Sequence, residues 1–151
     1  TVPVSEIVTG PGKTSLADDE FIVEFEIDHM PDHTGDAYLR LIPRTEMDIA
    51  VVGVGVRLTL DDAGKVSAAD IVLGAVAPTV VRVPEAEAAL VGNQINDEIL
   101  ATVSAAASEA CNPIDDKRGT IAYRKQVAGV LAKRAVLLAA ERAAERNGDA
   151  K

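Results

Sequence analysis

The chain changes character once along its length. Up to Arg82 its apolar residues recur with period two or in short Val-rich runs, and from Pro84 onward they recur at helical spacing in Ala-rich sequence. Strands gathered in one block and helices in another do not give the alternating order that builds a parallel sheet. They predict an α+β fold, an antiparallel β-sheet packed against about three C-terminal α-helices on one face.

Residues 20–27 alternate, with Phe21, Val23, Phe25 and Ile27 on one side and Glu20, Ile22, Glu24 and Glu26 on the other, the pattern of a strand with one buried face. A polar loop over 29–36 precedes a strand at 37–42 that Pro43 closes. Residues 49–60 read as a long Val-rich strand, Asp61-Asp62-Ala63-Gly64 as a hairpin turn, 66–73 as the return strand and 79–83 as a short last one. At least three antiparallel strands are therefore expected between 37 and 83. Pro84 fits a first helical position, with Glu85 and Glu87 in the first turn and Gly92 as the stop. Asn96 is the expected cap of a second helix, flanked by Ile95 and Leu100 at the spacing of a hydrophobic staple. That helix presents Ile99, Val103, Ala106, Ala107 and Ala110 inward and ends at Asn112-Pro113. A third runs from near Thr120 to about Arg146, with Val127, Val130, Leu131, Ala135 and Leu138 predicted to face the core.

Composition narrows the function classes. The chain is 48% hydrophobic but 3% aromatic, so Val, Ile, Leu and Ala must build the core. Its net charge of −9, with no basic stripe, argues against nucleic acid as a partner. Apolar runs break well before the roughly 18 residues of a membrane span. The single cysteine, Cys111, has no internal disulfide partner, which suits a reducing, cytoplasmic setting. His29 and His33 lie four apart, but Pro31, Gly35 and neighbouring aspartates place them in a loop, so they read as solvated and no metal site is expected.

Two stretches imitate nucleotide loops. Gly12-Lys13-Thr14 matches the tail of a P-loop, yet the glycine required five positions earlier is Ile7, and Asp18, Asp19 and Glu20 follow where phosphate would need helix N–H groups. A Pro11-Gly12 turn is the simpler reading. Gly53 and Gly55 begin a dinucleotide fingerprint, but its third glycine would fall at Leu58. Within a strand the two glycines share a face and predict a close approach by another backbone or a helix.

Five blocks together carry a family resemblance. Residues 44–52, Arg-Thr-Glu-Met-Asp-Ile-Ala-Val-Val, resemble the R-x-x-M-D-I-A-x-V signature of the FAD-binding medium subunits of molybdenum hydroxylases of the carbon monoxide and xanthine dehydrogenase type. TGPGKTSLADDEFIVEFEI is similar to that family's G-x-x-x-T-x-L-x-x-x-E segment, and AYLRL to its [AS]-[FY]-x-[KR] strand. IVLGAVAPTVVRVPEAEAAL and IDDKRGTIAYRKQVAGVLAKRAV resemble its L-G-x-V-A-P and D-x-R-G-[ST]-x-x-Y-R blocks. The resemblance implies the C-terminal part of a longer subunit. Residues 1–31 would be the end of the FAD-binding domain, 32–146 the C-terminal domain and 147–151 a tail.

It also implies a cofactor, FAD, and partners: the N-terminal FAD-binding part of the same subunit, a large molybdopterin subunit and a small subunit with 2Fe–2S clusters. Electrons would pass from those clusters through FAD to an acceptor. The family's Gly-Gly diphosphate loops have no counterpart here, since the sequence contains no Gly-Gly. By resemblance the flavin-facing positions are Ile22, Tyr38 and Arg40, the last a substitute for the usual Lys that keeps the charge and changes its reach. No catalytic residue is implied in this chain. Arg44, Asp48, Arg118 and Tyr123 are expected to make structural hydrogen bonds or ion pairs. The alternative to a hydroxylase subunit is a non-enzymatic α+β protein-interaction domain, and a more distant one is an NTP-binding protein resting on the Gly-Lys-Thr tripeptide alone.

Overall fold

A computed structural model describes residues 1–44 and 47–146. Thr45 and Glu46 of the 44–52 motif, and the predicted tail 147–151, lie outside the described residues. A short hairpin comes first: β1 (Val8–Gly10) pairs antiparallel with β2 (Lys13–Thr14). Gly12 at the bend has φ +67°, so the Gly-Lys-Thr tripeptide belongs to a Pro-Gly turn and opens no helix. The main sheet is four-stranded and antiparallel, in the order β3 (Thr34–Leu41), β4 (Val52–Leu60), β5 (Val66–Gly74), β6 (Val81–Arg82). The β4–β5 hairpin closes where the sequence places it. The Asp61 carboxylate accepts from the backbone N–H groups of Ala63 and Lys65, 2.9 and 2.8 Å away, and Gly64 takes φ +73°.

Three helices follow: α1 (Pro84–Leu90), α2 (Asp97–Ala110) and α3 (Ile121–Glu145). Asn96 and Thr120 cap the last two, their side chains accepting from the N–H groups of Ile99 and Tyr123. The edge beside β6 is finished by a side chain. β6 pairs only with Val72 and Leu73, and next to it Glu87 of α1 accepts the backbone N–H of Ile71 at 2.9 Å. Among the described residues the opposite edge strand, β3, pairs only with β4.

Alternation sorts the sheet into two faces. Val52, Val54, Val56 and Leu58 of β4, with Ile71 and Leu73 of β5, are at most 3% exposed and pack under the helices. The helix surface they meet is made of small residues, with Ala128, Ala132, Ala135, Ala139 and Ala143 buried along α3. Gly35 explains the choice. A Cβ there would run into the carbonyl oxygen of Ala139 and the nitrogen of Ala143, so α3 rides directly on the β3 backbone. Such proximity leaves no room for large side chains and shifts the buried stripe away from the larger residues. Val130, predicted to face the core, is 42% exposed, while Val127, Leu131 and Leu138 flank the contact partly buried.

Residues 20–27 correct a second expectation. They form no strand, and Phe21, Val23, Phe25 and Ile27 are exposed. The alternation is present, but a strand also needs a neighbour to take its backbone hydrogen bonds. No described strand lies beside this segment. Almost nothing in the first 30 residues is buried.

Candidate functional site

The face of the sheet away from the helices carries the residues the sequence singled out. Asp36, Tyr38 and Arg40 alternate outward on β3, opposite Arg57, Gly55 and Gly53 of β4. Tyr38 is 64% exposed although it stands mid-strand. Its ring leans across both glycines. A Cβ built on Gly55, its direct partner, would be 3.9 Å from Cδ2, and one built on Gly53, its diagonal neighbour, only 2.7 Å from the hydroxyl oxygen. The glycine pair therefore does admit a close approach, but by an aromatic side chain of the adjoining strand rather than by a backbone or a helix. One face of the ring is seated on the sheet and the other is open.

Arg40 is exposed, and among the described residues no carboxylate lies within ion-pairing distance of it. The other cations of this face are neutralised. Arg57 pairs with Asp70 at 2.7 Å, and Arg82 pairs with both Asp70 and Glu87, the latter at 3.0 Å, which together hold the Arg82 guanidinium above its usual pKa, Glu87 contributing most. A shallow hollow of about 350 Å³ lies over this surface, lined by Tyr38, Gly55, Arg57, Asp70 and, from the N-terminal segment, Ile27 and Met30. Ile22 does not join it. The structure places Ile22, 44% exposed, on the unpaired segment. Tyr38 and Arg40 are thus brought together and Ile22 is not.

The four residues assigned structural roles make local contacts. Arg44 Nε donates to Asp48 Oδ2 at 3.1 Å, and that pairing, with the Ile49 N–H, lowers the Asp48 pKa. Arg118 donates its backbone N–H to Asp116 Oδ1 at 2.9 Å. Tyr123 is half-exposed, its ring against Gly119.

The residue that sequence reasoning passed over is Arg124. It is 3% exposed, among the few polar side chains in the core. Its guanidinium donates to Asp116 Oδ1 at 2.6 Å, to the Val51 carbonyl at 2.8 Å and, more weakly, to the carbonyls of Ala75 and Gly119. It fastens the start of α3 to the ends of β4 and β5. The signal was its place two turns above Ala132 on the buried stripe, where an arginine is admissible only if its donors are satisfied. Among the described residues no group of three His, Cys, Asp or Glu side chains is arranged to hold a metal ion, and no helix is long and apolar enough to cross a membrane.

As to chemistry, this face offers an aromatic shelf and an exposed cation and, among the described residues, no nucleophile–base pair. Those parts fit one side of a planar, electron-accepting ring system. Among the described residues, nothing on the face resembles a cluster of backbone N–H donors for a diphosphate.

Comparison with known proteins agrees with the architecture. Residues 37–139 match the family model described as the CO dehydrogenase flavoprotein C-terminal domain. The chain is 33% identical over 136 residues to the carbon monoxide dehydrogenase medium chain of Hydrogenophaga pseudoflava, covering 90% of this chain and 47% of that one. It is 29% identical over 136 residues to the xanthine dehydrogenase FAD-binding subunit of Escherichia coli O157:H7, covering 89% and 46%. Among solved structures, carbon monoxide dehydrogenase from Hydrogenophaga pseudoflava, in a form lacking the Mo-pyranopterin moiety of its cofactor, superposes with a TM-score of 0.84 at 35% identity, over 91% of this chain and 47% of that chain. The chain spans about half the length of the curated relatives it matches.

Proposed function

The chain belongs to the CO dehydrogenase flavoprotein C-terminal domain family, and on that premise we propose that it is the C-terminal portion of the FAD-containing medium subunit of a molybdenum hydroxylase. In this reading it works with an N-terminal FAD-binding part of the same subunit, a large molybdopterin subunit and a small 2Fe–2S subunit. The flavin, when bound, supplies the two-electron relay between the iron–sulfur clusters and an acceptor. This chain's residues form one wall of the flavin site: Tyr38 lies against the ring, Arg40 places a positive charge beside it, and Ile22 adds an apolar contact once its segment is held in place. Residues 1–31 belong with the FAD-binding part, which covers Phe21, Val23, Phe25 and Ile27.

The observation that carries this is the pairing of an exposed tyrosine shelf with a cation that has no carboxylate partner among the described residues, on the sheet face the helices leave open. A fixed positive charge beside an isoalloxazine favours its electron-rich reduced form. Arg40→Ala in the complete subunit is therefore expected to lower the flavin midpoint potential, measured by redox titration of the flavin absorbance. An unchanged potential removes Arg40 from the site. The 151-residue chain alone is expected to lose added FAD on desalting. One stack, one apolar contact and one exposed cation give only a few kcal/mol, about the cost of association itself.

A further inference from the structure

Glycine in the interior of a strand costs roughly 0.5–1 kcal/mol relative to alanine, so two of them on the outward face of β4 call for a reason. The fold does not give one for Gly53. Its φ is not in the left-handed region, and the three atoms that a Cβ there would meet first all belong to the Tyr38 side chain, not to a backbone or a helix. What stands against it is the end of the Tyr38 side chain: a Cβ at Gly53 would lie 2.7 Å from the hydroxyl oxygen and 3.4 Å from Cε2 and Cζ. A Cβ at Gly55 would meet the same ring at 3.9 Å, an ordinary contact. Of the two glycines, only Gly53 is needed for the ring to lie as low as it does. Gly53 is also the direct cross-strand partner of Arg40, so the seat of the ring and the root of the cation sit side by side.

The geometry points to Gly53 as a positioning residue. By carrying no side chain it sets the height and tilt of the Tyr38 ring, and through the ring the distance at which a flavin face rests above the sheet. This rests on the reading of Tyr38 as the stacking surface. Gly53 touches no flavin atom in this account and acts only through Tyr38. Tyr38 is exposed, and its hydroxyl is the free end of a side chain, so a methyl group at Gly53 turns the ring outward at little cost to folding. A purely structural glycine would behave in the opposite way and lose stability first.

The test uses the complete subunit with its partners and bound FAD, comparing Gly53→Ala, Gly55→Ala, Tyr38→Ala and the Gly53→Ala/Tyr38→Ala double variant. The readouts are the visible absorption band and midpoint potential of the flavin, and the thermal melting temperature. Tyr38→Ala is expected to shift both flavin readouts. Gly53→Ala should shift them by a smaller amount, Gly55→Ala should leave them in place, and both glycine variants should melt at or above the parent temperature. In the Tyr38→Ala background, Gly53→Ala should add no shift, because its route to the flavin has gone. If Tyr38→Ala shifts the flavin and Gly53→Ala does not, Gly53 has no positioning role. Equal shifts from both glycine variants, or a full Gly53→Ala shift retained without Tyr38, overturn it as well, as does a Gly53→Ala protein that no longer folds. A flavin indifferent to Tyr38→Ala instead sinks the reading of Tyr38 on which the inference stands.

Discussion

Gly35 and Gly53 occupy neighbouring strands and opposite faces of one sheet. Against Gly35 stands the backbone of α3, and against Gly53 the tip of a tyrosine. Backbone held in a helix cannot yield, whereas a half-free side chain can. The same missing Cβ therefore means two different things. On the inner face it fixes a helix-to-sheet distance and so the fold, and on the outer face it fixes the posture of one exposed ring. The inner face is rigid because every element on it is buried by another. The outer face is tunable because no described helix packs on it, and the N-terminal segment only borders its hollow at Ile27 and Met30.

That contrast can be broken most severely at Arg124, the polar fastener of the inner side. Arg124→Ala leaves the Val51 and Ala75 carbonyls without their donor and Asp116 without its buried partner. The expected loss is about 4 kcal/mol in denaturant-monitored unfolding. Arg124→Lys should recover little of it, since an ammonium cannot reproduce the forked geometry. A loss within experimental error would mean that α3 is held by its alanine contacts alone.

Gly35→Ala comes next. Overpacking against unyielding backbone should cost about 3 kcal/mol, against no loss for Gly53→Ala; equal unfolding free energies for the two variants would erase the distinction between the faces.

The smallest effect is electrostatic. The Arg118 backbone N–H, first, and the Arg124 side chain hold the Asp116 carboxyl below the usual aspartate range. A depressed folded pKa means that the contribution is complete above the ordinary value of about 3.9 and is lost as pH falls through the lower, folded value. Asp116→Asn should lower stability at neutral pH and flatten this part of the acid limb of the stability–pH curve. An acid limb as steep as the parent's would place the titration elsewhere.

What was legible in the sequence was local. Asp61 and Gly64 carry their own turn, Asn96 and Thr120 cap their helices within three residues, and Pro11-Gly12 bends the first hairpin, so each was readable without knowing what lay across from it. The division into strands and then helices followed from periodicity alone. What failed depended on partners far along the chain. Residues 20–27 have the alternation of a strand but no neighbour to hydrogen-bond with, and alternation does not reveal that. The inward stripe of α3 was drawn through Val130 because larger residues usually bury. The Gly35 contact, more than a hundred residues away, selects alanines instead. At the site, the resemblance led to Tyr38 and Arg40, and the glycine pair pointed to a close approach. The identity of what approaches was set by cross-strand register, which no single stretch of sequence records.

The unpaired side of β3 bears on self-association. An eight-residue edge strand is a template for pairing with another copy. Here its outward hydrogen-bonding groups are interrupted: Arg142 of α3 donates to the Asp36 carbonyl at 2.7 Å, and the strand carries an aspartate at 36 and an arginine at 40. A second copy adding antiparallel to this edge would have to displace Arg142 and bring the charges of Asp36 and Arg40 up against the incoming strand. Arg142→Ala is therefore expected to raise self-association at high protein concentration, read by light scattering, before it lowers the melting temperature.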